Sequence, residues 1–240
     1  MLMSEYHDKG YTICEKIVDT AFLDSIVATI KAPFEKQCER FSCKTMTDLY
    51  EQMPDVFMNC AKHAQWNLQL HHLGVMLGYK ISHFMQVEPL VSICTRPVVF
   101  FNNLKTAKKE VNHTTPAHAD SLSMHGSTDA VVVWVPLIDM NEEHGLLQVS
   151  PKSHILEHYN VEFKDGFGNV DEEYYDFEPI KVKKGDALVF NSNLVHRSGK
   201  LQNDKVTRWS AHFRFNNMYD ERFITNNYPH PYEYRNIELK

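Results

Sequence analysis

Hydrophobic positions recur in two rhythms along this chain, and the rhythm changes near residue 90. In the first part the spacing is helical. Ala21, Phe22, Ile26, Ile30 and Phe34 repeat at mostly four-residue steps, with Asp19 or Thr20 able to cap the start. Pro33 predicts that this helix stops or kinks there. From Thr47 to about Met85 apolar and polar residues again mix with helical spacing, as in Leu68, His71, His72 and Val75, although Gly74 and Gly78 blur the boundaries. His71 and His72 are adjacent, so on a helix they cannot face one point and read as surface or packing residues. Ahead of all this, the stretch from Tyr6 to Cys14 predicts a turn through Gly10 into a short strand.

Beyond residue 90 the pattern becomes that of strands. Val91–Cys94 and Val98–Phe101 are short β-prone runs, and Thr128–Leu137 is almost continuously apolar, as expected of a central strand covered on both faces. Pro136 belongs at its end, where no ladder donor is missed. Asn141–Gly145 reads as a turn, Leu146–Val149 as a strand, and Pro151 to about Pro179 as a loop. Lys184-Gly185-Asp186 turns into the strand Ala187–Phe190. Val206–Phe215 alternates cleanly. Thr207, Trp209, Ala211, Phe213 and Phe215 lie on one face; Arg208, Ser210, His212 and Arg214 lie on the other. Helices followed by many short strands predict an α+β fold built on a sandwich or closed jelly-roll barrel. With no repeat, low-complexity linker or composition break, the expectation is one domain. Its parts are a helical stretch at about 1–90, a barrel core at about 91–216 and a tail at 217–240.

Composition narrows the function classes. A formal net charge of −6 and a pI near 6.1 provide no basic footprint for nucleic acid. The five cysteines, Cys14, Cys38, Cys43, Cys60 and Cys94, contain no Cys-x-x-Cys pair and are odd in number, which argues against a disulfide framework or zinc knuckle. No apolar run is long enough for a membrane span and the N-terminus does not resemble a leader, so a cytoplasmic protein is expected.

Candidate chemistry gathers in the second half. His118 and Asp120 are two residues apart, and on an extended strand they would share a face. In a chain with 14 histidines and 31 acidic residues this pair alone is a weak signal. It gains weight from His196, which follows a hydrophobic strand, and from Arg208 twelve residues later on a polar strand face. Two imidazoles and one carboxylate make the facial triad of non-haem Fe(II) oxygenases, leaving metal positions for a chelating 2-oxo acid and O₂. The far carboxylate of such a co-substrate calls for a planar, permanently charged donor. Arg208 fits, with Ser210 as a second donor; Arg214, on the same face, is the alternative anchor. His113, His125 and His154 read as structural or supporting residues. Lys105, Lys108, Lys109 and Arg197 could form a basic rim favouring an anionic substrate.

The ordered set of motifs resembles the phytanoyl-CoA dioxygenase family of Fe(II)- and 2-oxoglutarate-dependent oxygenases. The residues that carry the resemblance are Gly10-Tyr11-Thr12-Ile13, His118-x-Asp120, Trp134-x-Pro136-Leu137, the run Gly145-Leu146-Leu147-x-Val149-x-Pro151-x-Ser153-His154, Gly185-Asp186, His196-Arg197-Ser198 and Arg208-Trp209-Ser210. The resemblance implies a double-stranded β-helix, a jelly-roll or cupin-like barrel with the N-terminal helices packed outside. It implies Fe(II) on His118, Asp120 and His196, with 2-oxoglutarate held by Arg208 and Ser210 and lined by Trp134 and Ser198. The implied activity is that of a dioxygenase hydroxylating a small-molecule metabolite with O₂ and releasing succinate and CO₂. One departure is Lys152, where the family has Gly, so a different turn is expected there. The competing reading is a jelly-roll isomerase or hydrolase with another divalent metal on the same His/Asp/His set.

Overall fold

The structure, a computed structural model, describes residues 2–85, 91–93, 97–106, 114–123, 126–156, 159–164 and 167–227. Cys94, Lys108, Lys109, His113, His125 and most of the expected tail lie outside the described residues.

Helix α1 (Leu2–Lys9), not anticipated from sequence, ends at Gly10 in a left-handed conformation and releases the chain into β1 (Tyr11–Cys14). Asp19 caps α2 (Thr20–Arg40), its carboxylate accepting from the Ala21 and Phe22 amides. Contrary to expectation, α2 runs past Pro33. The hydrogen bond that proline cannot make belongs to the carbonyl of Thr29, on the exposed side, while Ile30 and Phe34 on either side are buried and hold both turns to the core. The helical stretch after it resolves into α3 (Met46–Gln52), α4 (Pro54–Gln65) and α5 (Leu68–Met85), with both Gly74 and Gly78 inside α5.

The remaining strands are β2 (Val91–Ile93), β3 (Val98–Asn102), β4 (Val131–Pro136), β5 (Leu147–Val149), β6 (Val161–Lys164), β7 (Phe167–Val170), β8 (Glu178–Pro179), β9 (Ala187–Asn191), β10 (His196–Ser198) and β11 (Arg208–Asn217). The short helices α6 (Asp120–Ser123) and α7 (Glu221–Thr225) complete the order. The β6–β7 hairpin and β8 lie within the stretch expected to be a loop. All pairing is antiparallel. The larger sheet runs β1-β9-β4-β11-β2, with β3 also pairing along β11; the smaller runs β10-β5-β8. Together they give the jelly-roll arrangement with helices at the N-terminus.

The two faces of the large sheet do different work. Its outer face, from Val131, Val133, Val135, Trp209, Phe213 and Phe215, packs with Phe101 against Ile26, Ile30, Phe34, Phe57 and Leu70 of the helices. Each such side chain contributes about 1.5–3 kcal/mol on burial. Gln65, at the end of α4, joins helix to sheet by exchanging two 2.8 Å hydrogen bonds with the Val99 backbone. The inner face is apolar near Tyr11, Val132, Trp134, Leu188 and Phe190, and polar along β11. The site is built on that polar row.

Candidate metal and co-substrate site

His118 and His196 face each other across a two-bond backbone bridge, His118 N–H to His196 O at 3.0 Å and His196 N–H to His118 O at 2.9 Å. The bridge brings their rings to 4.3 Å between centroids. Each imidazole is locked in the same way. Nδ1–H of His118 donates to the Pro116 carbonyl at 2.8 Å, and Nδ1–H of His196 to the Leu194 carbonyl at 3.0 Å. With the proton fixed on Nδ1, the Nε2 lone pair is left for a metal.

Asp120 does not lie on a strand, as the two-residue spacing suggested. It opens α6, whose turn starts because the Ser121 amide bonds to Ser192 O at 3.0 Å. The carboxylate nevertheless reaches the same point, Oδ1 lying 3.4 Å from Nε2 of His118. One donor atom from each of His118, Asp120 and His196 lies within 4.8 Å of the others, and all three residues are buried. Burial pushes the Asp120 carboxyl up, but Arg214 and the two imidazoles outweigh it and hold the group well below the usual carboxylate range. Burial, reinforced by His118, pushes His196 down to about 3, keeping it neutral and available as a donor. The donor set fits a hard-to-borderline divalent ion such as Fe(II).

Arg208 marks the other end of the polar row. Its guanidinium is held from three sides: Nη1 donates to Gly145 O at 2.5 Å, and Nη2 to Asn102 Oδ1 and Ser198 Oγ, each at 2.9 Å. Asn102 sits directly opposite Arg208 across the β3–β11 pair. The Gly145 carbonyl is placed by a close approach of two glycines: a Cβ on Gly145, whose φ is +65°, would come within 2.5 Å of Gly199 O. Ser198, expected to line the pocket, also accepts from the Thr115 amide at 3.0 Å and so acts as a post for Arg208. All three partners of Arg208 are neutral oxygens. Arg208 Nε and the fully buried Ser210 Oγ have no hydrogen-bond partner among the described residues. Burial pulls the Arg208 pKa down to about 10, still far above neutrality. A buried cation with spare donors and no anion beside it among the described residues fits a carboxylate ligand.

A match to the phytanoyl-CoA dioxygenase (PhyH) family model covers residues 6–209. The chain belongs to the phytanoyl-CoA dioxygenase family. No curated protein sequence matches it. Solved structures share the fold at low identity. The epimerase SnoN, in complex with Fe³⁺, α-ketoglutarate and nogalamycin RO, is 15% identical with a TM-score of 0.56, over 90% of this chain and 82% of that one. The non-haem monooxygenase ThoJ is 13% identical with a TM-score of 0.58, over 91% and 78%. EctD from S. alaskensis, with 2-oxoglutarate and 5-hydroxyectoine, is 17% identical with a TM-score of 0.53, over 90% and 75%.

Against this family frame, Trp134 is buried on the inner face of β4, opposite His212 of β11. Arg214, the alternative anchor, is engaged elsewhere: its Nε donates to Asp120 Oδ2 at 2.9 Å and its Nη2 to Oδ1 at 3.3 Å. Asn102 and the Arg214–Asp120 pair escaped sequence reasoning. Their only trace is a polar residue closing the apolar Val98–Phe101 run and a second arginine on the polar face of β11. Arg197 ion-pairs with Glu172, donates from its Nε to Gln148 Oε1 at 2.7 Å and covers the Phe177 ring at 4.0 Å, so its charge is already compensated. Lys105 is exposed, 3.9 Å from Glu51. His154 contacts the His7 carbonyl at 3.1 Å, a structural role beside α1. Lys152 has a φ of +68°, so the turn there keeps a left-handed conformation that glycine adopts freely, despite the side chain. No helix among the described residues is long and apolar enough to cross a membrane.

Proposed function

We propose that this chain is an Fe(II)- and 2-oxoglutarate-dependent dioxygenase that hydroxylates a small-molecule metabolite. The carrying observation is the pairing, on one barrel interior, of a buried His118/Asp120/His196 cluster with a buried Arg208 that has only neutral partners among the described residues. In this reading His118, Asp120 and His196 would hold iron. Arg208 and Ser210 hold the distal carboxylate of 2-oxoglutarate, and Trp134 walls the co-substrate. When bound, iron with its co-substrate supplies O₂ activation, one oxygen atom ending in succinate with loss of CO₂ and the other in the oxidised product.

The residues of the chain orient and desolvate. The two Nδ1–H bonds to Pro116 and Leu194 fix which nitrogen faces the metal. Asn102, Gly145 and Ser198 fix the plane of the Arg208 guanidinium before any ligand arrives, so little rotamer entropy is lost on binding. The apolar inner face around Trp134, Leu188 and Phe190 keeps water from the reacting centre.

The chain also reads as one domain, since a single apolar cluster joins α2–α5 to the outer face of the large sheet. Compensation of Arg197 by Glu172 weakens the case for a basic rim, and an anionic substrate would have to be met by other groups. A substrate screen with Fe(II), 2-oxoglutarate and air tests the proposal. Substrate-dependent succinate release is expected. Turnover without 2-oxoglutarate would favour the metal isomerase or hydrolase instead.

A further inference from the structure

Asp120 divides its two oxygens unequally between the imidazoles and Arg214, whose Nη2 reaches Oδ1 only at 3.3 Å. Oδ1 lies toward the imidazoles, 3.4 Å from His118 Nε2, whereas Oδ2 takes the shorter of the two Arg214 bonds, 2.9 Å from Nε. Both side chains are nearly sealed, with 12% of Arg214 and 3% of Asp120 exposed. A free carboxylate can chelate a metal with both oxygens, and doing so would occupy one of the positions that a bidentate co-substrate requires. Arg214 ties down the oxygen that would do this. We propose that Arg214 is a positioning residue: it holds Asp120 to single-oxygen ligation and thereby keeps a metal position open for 2-oxoglutarate.

Charge supports the same assignment. A guanidinium this close to a divalent ion repels it, so Arg214 is poorly placed to strengthen metal binding as such. Its use lies in geometry. The neighbour on the same strand face, Arg208, meets no carboxylate among the described residues, so the row separates one arginine that orients a ligand residue from one that awaits an external anion. The inference rests on the oxygenase reading above, and its test keeps the two separable.

The experiment titrates Mn²⁺, and then 2-oxoglutarate under anaerobic conditions, into the unmodified protein, Arg214→Met and Arg214→Lys, with the melting temperature of each metal-free protein recorded alongside. The unmodified protein should bind both. Arg214→Met should keep Mn²⁺ affinity within about tenfold, because lost orientation and lost repulsion offset each other, yet bind 2-oxoglutarate at least tenfold more weakly. Arg214→Lys, able to hold Oδ2 with one bond, should recover most of that loss. Should the Met variant fail to fold, the Lys variant carries the test with an expected loss of roughly two- to fivefold. Unchanged 2-oxoglutarate affinity in a variant that binds Mn²⁺ would overturn the positioning role. Loss of Mn²⁺ binding in Arg214→Met would overturn it too, making the arginine a plain scaffold for the ligand. If the unmodified protein bound Mn²⁺ but no 2-oxoglutarate, the oxygenase reading would fall first, and this inference with it.

Discussion

The two ends of the polar row on β11 handle charge in opposite ways. At the Arg214 end the guanidinium meets Asp120, and the Nδ1–H groups of His118 and His196 meet backbone carbonyls. At the Arg208 end a deeply buried cation meets, among the described residues, only a backbone carbonyl, an amide oxygen and a hydroxyl. Burying a charge without a counter-ion costs several kcal/mol, and a fold keeps such an arrangement where a ligand supplies the missing charge. The first end is thus a finished piece of machinery whose donor atoms are preset. The second, in the proposed function, awaits an anion. That contrast favours Arg208 over Arg214 as the proposed anchor, a choice the alternation of the strand leaves open.

The comparison can be broken most forcefully at Asp120. Asp120→Ala removes one of three metal ligands and strands Arg214, so Mn²⁺ binding at the site should vanish and turnover fall by at least about a thousandfold. Breaking the buried pair should also lower stability by about 3–5 kcal/mol. Metal binding by isothermal calorimetry and denaturant unfolding check the two effects separately. An Asp120→Ala variant that turned over normally would move the metal elsewhere.

A second effect follows from the neutral histidines. The folded-state pKa of His196 is lowered to about 3, against about 6.5 for an unfolded histidine. Between these values the unfolded chain binds the extra proton, so the stability of the metal-free protein is complete above about pH 6.5 and falls as the pH drops toward 3. For this one group the loss between pH 6.5 and 5 is about 2 kcal/mol. His212 titrates in the same sense: burial first, then Arg214, pushes its pKa well down. Melting temperatures of the metal-free protein across this range should decline; a flat profile would mean that the imidazoles are not kept neutral by the fold.

The smallest expected change lies at the Arg208 end. Ser210→Ala deletes one of the two spare donors, and a hydrogen bond to a charged group contributes about 1.5 kcal/mol at the low end, so 2-oxoglutarate should bind roughly tenfold more weakly. Stability should hardly move, since Ser210 Oγ has no partner among the described residues to lose. A Ser210→Ala protein with unaltered 2-oxoglutarate affinity would remove Ser210 from the anchor.

Much of this was legible in the sequence because period and chemistry coincided. The alternation from Thr207 to Phe215 predicts the faces of β11, and the spacing of His118, Asp120 and His196 predicts three residues that the fold brings together. What was hidden depended on contacts far apart in sequence. Asn102 meets Arg208 only because β3 pairs with β11, and Arg214 meets Asp120 only because α6 begins where the Ser192 carbonyl captures an amide. The strand expected at Asp120 failed for the same reason, a tertiary hydrogen bond overriding a two-residue pattern. Pro33 misled because the penalty for a missing N–H is small when the orphaned carbonyl is at the surface and the next turn is pinned by Phe34. The helix α1 lacks a clear apolar stripe, and the β6–β7 hairpin lies in a segment dense in acidic and aromatic residues, so neither carried a period to read.

The central claim, that the buried Arg208 is the seat of the co-substrate, is tested most directly by an anaerobic titration of 2-oxoglutarate into the Mn²⁺-loaded protein and its Arg208→Ala and Arg208→Lys variants. Removing one member of a buried charge-assisted pair costs about 2–5 kcal/mol, so Arg208→Ala should bind 2-oxoglutarate roughly 30-fold or more weakly with Mn²⁺ affinity unchanged. Arg208→Lys should recover only part, because an ammonium cannot make the forked contact. Unaltered 2-oxoglutarate affinity in Arg208→Ala would contradict the account.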